Sequence, residues 1–186
     1  MILIKEIKQS KILKNVLLAL VGTILLAISS KIKIPFYPVP MTMQTLVILF
    51  LGITFGSKLG VATVALYLFE GIIGLPVFSG TPEKGVGIVY FFGPTMGYLI
   101  GFLFTVYFVG YIKFSRNLFI NFLKLIFAVS FIYILGILRL ADPAIIGWKP
   151  LFLFQVGVQP FLLAELFKVL IVLFCLEKVK KLRQYL

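Results

Sequence analysis

Long apolar runs with almost no charged residues constrain this sequence most, for example those at 16–28, 41–56, 91–112 and 118–138. Hydrophobic residues make up 61% of the chain and charged residues only 13%, whereas a soluble domain is nearer half apolar and a quarter charged. A water-soluble fold cannot hide this much apolar surface, so lipid must be the solvent for most of it. The sequence therefore predicts an all-α integral membrane protein.

The spacing of these runs predicts about six transmembrane helices of about 20 residues each. We expect them near 16–28, 41–56, 59–73, 91–112, 118–138 and 160–176, within a single domain over 1–186 that has short basic tails at about 1–14 and 177–186. The first run is short and ends in small residues, which is also typical of a signal peptide. We favour a retained first helix, because the charge distribution then gives a consistent topology.

Basic residues divide unequally between the two sides of such a bundle. The side with both termini carries Lys5, Lys8, Lys11, Lys14, Lys58, Lys113, Arg116, Lys178, Lys180, Lys181 and Arg183, and the other carries Lys31, Lys33, Lys84, Arg139 and Lys149. Positive residues favour the cytoplasm, so we expect both termini to be cytoplasmic. The proline- and glycine-rich loops at 31–40, 77–90 and 139–150 would then lie together on the outer face and form the walls of a binding site.

Several function classes are excluded by what the sequence contains. The net charge of +12 comes from residues at the chain ends and between apolar runs, so we do not expect nucleic-acid binding. The chain has no histidine and one cysteine, Cys175, which argues against a metal site. Neither a phosphate-binding G-x-x-x-x-G-K-[ST] loop nor a G-x-S-x-G elbow occurs. We therefore expect no cofactor and no enzymatic activity.

Three ionisable residues lie inside apolar runs: Glu70, Glu165 and Lys168. Each costs about 2.5–3.5 kcal/mol at the centre of a membrane helix. Glu165 and Lys168 are three residues apart and share a helix face, so they can offer a ligand one acceptor and one donor. The alternative is a structural ion pair. For Glu70, near the outer end of the third helix, the alternative is a side chain that reaches the membrane interface.

Gln44 and Tyr98 complete the candidate binding residues. Gln44 follows the proline-rich segment and is expected at the outer mouth of the second helix. Its amide donates and accepts hydrogen bonds, which suits a ureido or amide ligand. The alternatives are a hydrogen bond between helices for Gln44 and a place in the interfacial aromatic belt for Tyr98.

Four short motifs occur in a fixed order between about residues 16 and 176. They are PFYPVPMTMQT at 35–45, GLPVF at 74–78, GPTMGY at 93–98, and Pro160-Phe161 followed by Glu165 and Lys168. These segments resemble P-x-x-P-V-P-x-T-x-Q-T, G-L-P-V-F, G-P-T-G-G-Y and P-F-x-x-x-D-x-x-K of the BioY family. Members of that family are the biotin-binding S components of energy-coupling-factor (ECF) transporters.

The resemblance implies a six-helix S-component fold in a bacterial cell membrane and a biotin pocket on the outer side. Its motifs place Gln44, Tyr98, Glu165 and Lys168 in that pocket. The sequence departs from the family pattern where Glu165 replaces aspartate and Met96 replaces glycine. Leu99 stands where some members have a basic residue, so we expect Lys168 to meet the ligand carboxylate.

The resemblance also implies partners, namely a transmembrane coupling protein and two ABC-type ATPases. S components carry an Ala-x-x-x-Ala-like docking face on the first helix, and Ala19, Thr23 and Ala27 form such a stripe here. The alternative for this stripe is packing within the chain. The alternatives for function are an S component for another small vitamin and a structural or assembly membrane protein without a ligand.

Overall fold

A computed structural model describes residues 2–35 and 37–185, with side chains from residue 11 to 184 apart from position 36. Phe36 of the proline-rich motif and the side chains of Lys5 and Lys8 therefore lie outside the described part. The elements are α1 (Ile2–Lys31), β1 (Lys33–Ile34), β2 (Met41–Thr42), α2 (Gln44–Ile72), α3 (Gly87–Phe91), α4 (Met96–Tyr111), α5 (Leu118–Leu140), α6 (Pro150–Gly157), a 3₁₀ turn (Gln159–Phe161) and α7 (Leu162–Tyr185).

Helix α2 folds back on itself at Gly56. The backbone there has φ 72° and ψ −178°, a conformation that essentially only glycine adopts. Two arms, 44–55 and 57–72, result, and the Gln44 amide nitrogen reaches the Tyr67 hydroxyl at 2.8 Å across the hairpin. The second and third helices predicted from the sequence, and the turn between them, are therefore confirmed.

Four stretches of the described chain are helical, long and apolar enough to cross a membrane: Lys11–Lys31, Gln44–Ile72, Leu118–Leu140 and Pro150–Gln184. Helix α4 is apolar but shorter. The described part of the chain has six long helical segments when the two arms of α2 are counted separately. The other four are α1, α4, α5 and α7. The predicted all-α membrane bundle is confirmed.

Close backbone contact joins α4 to α5. A Cβ atom at Gly97 would lie 2.1 Å from the carbonyl oxygen of Leu135, and one at Gly101 would lie 2.5 Å from Cα of Ile132. Glycine is thus required at both positions for this approach. The glycines that recur at spacing four on this helix serve packing inside the chain.

The helix ends differ from the sequence-based expectation. Helix α1 begins at Ile2 and α7 continues to Tyr185, so both basic tails are helical. Apolar runs mark only the part of a helix that lipid covers, and lysine is itself a good helix former. The fourth helix starts at Met96 rather than 91, after a separate short helix.

Basic side chains mark the two opposite ends of the bundle. At one end, the Arg183 guanidinium lies beside Gly56 and faces the carbonyl of Gly110. At the other end, Lys31 and Lys33 donate hydrogen bonds to backbone carbonyls of the glycine-rich loop 73–86. The structure therefore places Arg183 at the opposite end of the bundle from Lys31 and Lys33, as the sequence assigned them.

The small-residue stripe on α1 packs within the chain. Ala19 and Thr23 are 8% and 3% exposed, and Ala27 packs against the core. Between them, Gly22 faces Thr63 of α2. In this chain the stripe is therefore packed internally, as in the alternative, and its docking role stays a prediction. The exposed residues of α1 are large and apolar: Leu17, Leu20, Val21, Ile24, Leu25 and Ile28.

Candidate ligand-binding site

A central pocket lies between the segment 39–45, the loop 73–86 and helices α3, α4, α5 and α7. Its walls are mostly apolar and aromatic, and it is narrow, at about 50 Å³. The lining residues are Val39, Pro40, Met41, Thr42, Gln44, Thr45, Phe78, Ser79, Tyr90, Thr95, Tyr98, Leu99, Phe102, Ile132, Tyr133, Phe161 and Glu165.

The Glu165 carboxylate forms the charged part of this wall. Glu165 is 5% exposed, and its Oε1 atom lies 2.6 Å from Nζ of Lys168. Its Oε2 atom is buried and accepts no well-formed hydrogen bond among the described residues, and the nearby Tyr133 hydroxyl interacts with the same carboxylate. Such a group costs free energy until it is hydrogen-bonded. One oxygen is thus held by the protein, and the other is available to a donor in the pocket.

Lys168 lies behind Glu165 and does not line the pocket. Its ammonium donates to Oε1 of Glu165 and, at 2.7 Å, to the carbonyl oxygen of Thr42. The side chain faces a lateral groove between β2 and α7. The expectation that Lys168 meets a ligand carboxylate stays a prediction; in this structure the ammonium contacts Glu165 and Thr42 and so positions Glu165.

Gln44 lines the pocket and is 3% exposed. Its amide nitrogen donates to the Tyr67 hydroxyl at 2.8 Å, and that hydroxyl donates to the carbonyl of Val77 at 2.9 Å. Its amide oxygen accepts from the Thr42 hydroxyl at 3.1 Å. This chain of hydrogen bonds connects Gln44 to the loop 73–86, so the amide also fixes the loop that covers the pocket.

Tyr98 contributes its ring rather than its hydroxyl. The hydroxyl donates to the carbonyl of Gly157 at 2.8 Å. The ring lies edge-on to Tyr133, with centroids 6.2 Å apart, and near Phe161 at 6.4 Å. The rings of Tyr98, Tyr133 and Phe161 thus form an aromatic wall of the pocket. Tyr133 was not identified from the sequence, because one tyrosine in an apolar helix resembles any other.

Ser79 is a further site residue that sequence reasoning missed. Its Oγ atom is buried without a partner among the described residues, and it lines the same pocket as Glu165. Its backbone carbonyl accepts from Lys33 at 2.6 Å. This contact joins residues that are distant in sequence, and it helps to orient Ser79 toward the pocket. Its place directly after GLPVF in a glycine-rich loop was the available signal.

Glu70 does not reach this site. It is partly buried near the end of the second arm of α2 and is absent from the pocket lining. The pocket geometry therefore gives no support to a ligand-binding role for Glu70, which stays a prediction.

The fold and this pocket define a multispanning membrane protein that holds a small ligand near one face of the bundle. The chain belongs to the BioY family, whose sequence pattern matches residues 5–185. It is 30% identical to the probable biotin transporter BioY of Pyrococcus horikoshii over 155 residues, which are 83% of this chain and 89% of that protein. It is also 30% identical to the biotin transporter BioY of Thermotoga maritima over 171 residues, 91% and 98% of the two chains.

A solved structure shares the fold. The crystal structure of the S-component for biotin from an ECF-type ABC transporter superposes with a TM-score of 0.75 and 28% sequence identity. The match covers 94% of this chain and 93% of the other. The S-component architecture expected from the sequence is therefore confirmed.

Proposed function

We propose that this protein binds biotin and mediates its uptake across a bacterial cell membrane as the substrate-specific S component of an ECF-type transporter. The observation that carries the proposal is that the Oε2 atom of Glu165 lies in the wall of an apolar pocket and accepts no well-formed hydrogen bond among the described residues. Biotin brings ureido N–H donors on an apolar bicyclic body, so it can satisfy that oxygen while the rings of Tyr98, Tyr133 and Phe161 contact the body. The names of the relatives agree with this ligand.

The remaining pocket residues fit defined parts of biotin. Gln44 keeps one amide hydrogen beyond the one it donates to Tyr67, and that hydrogen suits the ureido carbonyl. The anionic tail must point away from the Glu165 carboxylate, because like charges repel. Ser79, Tyr90 and Thr95 supply hydroxyl groups along the outer part of the pocket. Lys168 acts indirectly, by pairing with Glu165 and fixing the position of its carboxylate.

The energy for uptake would come from separate subunits. The sequence has no phosphate-binding loop, so a transmembrane coupling protein and two ABC-type ATPases are the proposed partners. The greater share of basic residues at the end with both termini supports cytoplasmic termini. With this orientation, the pocket and the loop 73–86 lie toward the outside.

Uptake of labelled biotin by biotin-auxotrophic bacteria tests this proposal. Cells that produce the protein with a coupling protein and ATPases should accumulate label faster than cells with the partners alone. The Glu165→Gln variant should lose most of this uptake, while Glu177→Gln on the same helix should retain it, since Glu177 pairs with Lys180 at the surface. Equal uptake by cells with and without the wild-type protein would contradict the proposal.

A further inference from the structure

We infer that Lys84 is the cation that meets the anionic tail of the ligand, in an outer chamber that continues the central pocket. This inference rests on the proposed function, since it concerns the carboxylate end of biotin. It assigns a recognition role to a residue that neither the motifs nor the resemblance singled out. It also replaces Lys168, which the structure places behind Glu165.

In the described part of the chain, the other four basic side chains around the pocket already form hydrogen bonds or ion pairs within the protein. Lys31 and Lys33 donate to backbone carbonyls of the loop 73–86. Arg139 pairs with Asp142 at 2.6 Å and also donates to backbone carbonyls. Lys168 pairs with Glu165. Recruitment of any of these four to a ligand would break contacts that hold the walls of the site.

Lys84 differs from these residues in both its contacts and its place. Among the described residues, its ammonium forms no hydrogen bond or ion pair, and the side chain is exposed. It lines an outer chamber of about 280 Å³ together with Tyr37, Val89 and Pro94. Lys149 is also exposed on this face of the bundle, but it lines neither cavity.

The outer chamber adjoins the central pocket through shared walls. Pro40, Tyr90 and Thr95 line both cavities. In our inference, a ligand whose ureido end donates to Glu165 extends its tail past these three shared residues. The tail ends beside Lys84, which offers the unpaired positive charge that a carboxylate requires. The neighbouring water-exposed mouth also solvates that charge.

Binding of biotin and of biotinamide, its neutral amide, to purified protein tests the inference. The wild-type protein should bind biotin about three- to fivefold more tightly than biotinamide, the range of an exposed ion pair. Lys84→Gln should weaken biotin binding by the same factor and leave biotinamide binding unchanged. Lys84→Arg should keep the preference for biotin. The matched control Lys149→Gln should bind both ligands as the wild type does.

Salt gives a second measurement. The preference of the wild-type protein for biotin should shrink as ionic strength rises, because salt screens exposed charges, and the Lys84→Gln variant should show no such dependence. Unchanged biotin affinity in Lys84→Gln, or an equal loss of affinity for both ligands, would overturn the inference. Failure of the wild-type protein to bind either ligand would overturn the proposed function on which the inference rests.

Discussion

The Lys168 ammonium lies 2.6 Å from one carboxylate oxygen of Glu165, while the other oxygen of the same carboxylate accepts no well-formed hydrogen bond among the described residues. Lys168 also donates to the carbonyl of Thr42, so it joins α7 to the strand that precedes α2. The pair therefore does two things at once. It neutralises a buried charge, and it presents a single acceptor to the pocket.

Breaking this pair from either side should weaken ligand binding and destabilise the fold, because each change leaves a buried charge without its partner. Glu165→Gln should weaken biotin binding by at least about tenfold, because an amide is a poorer acceptor than a carboxylate. Lys168→Met should weaken binding similarly, and both variants should lower the free energy of unfolding by about 3–5 kcal/mol, since each leaves a buried charge unpaired. Isothermal titration with biotin and thermal unfolding in detergent measure the two effects.

The double variant Glu165→Gln/Lys168→Met and a surface pair provide the controls. The double variant should recover much of the stability that Lys168→Met loses, but not the biotin affinity. Glu177 and Lys180 have the same spacing on the same helix and lie at the surface, so Glu177→Gln and Lys180→Met should change neither property. If Glu165→Gln and Lys168→Met both bound biotin with the affinity of the wild type, Glu165 would not be part of the binding site.

Ser79→Ala should weaken biotin binding about two- to tenfold without lowering the unfolding temperature. The Ser79 hydroxyl has no partner among the described residues, so its removal costs only the hydrogen bond that a ligand makes to it. Titration with biotin measures the effect. Ser130→Ala is the matched control, because that hydroxyl bonds within its own helix to Phe127. A stability loss with unchanged affinity would show a structural role for Ser79.

The apolar runs were sufficient to predict the bundle, and the intramembrane charge identified Glu165, which lies in the pocket wall. Neither signal distinguished the positions of Glu165 and Lys168. Residues three apart on a helix share a face only approximately, with directions about 60° apart at 3.6 residues per turn. Contacts from other elements decide which of the two meets the pocket.

The orientation of Ser79 and of the α1 stripe also depends on contacts distant in sequence. The loop that carries Ser79 takes its shape from hydrogen bonds to Lys31 and Lys33. The stripe at Ala19 has the same pattern whether its partner is α2 or another subunit. No local signal distinguishes these cases, because small residues permit close approach by any helix.

Overpacking tests the internal position of this stripe. Ala19→Trp should destabilise the protein by about 1–3 kcal/mol, because Ala19 is only 8% exposed and lies against the bundle. Leu20→Trp, at a neighbouring residue that is 41% exposed, should have little effect. Thermal unfolding of both variants measures the difference. Equal stability of the two variants would indicate that the Ala19 face is free.

The proposed topology predicts which positions a membrane-impermeant thiol reagent can reach. In a Cys175→Ser background, a cysteine at Lys149 should be labelled on intact cells, and a cysteine at Lys181 only after the cells are opened. Both residues are exposed on the protein surface, so burial does not explain a difference. Labelling of position 181 but not 149 on intact cells would reverse the orientation.

Calorimetric titration of the purified protein with biotin and with biotin methylated on its ureido nitrogen tests the central claim most directly. The Oε2 atom of Glu165 needs a donor, and methylation removes one while adding bulk at the same place. We predict binding of one biotin per chain and a loss of at least about tenfold in affinity for the methylated compound. Equal affinity for both compounds, or no binding of biotin, would contradict the account.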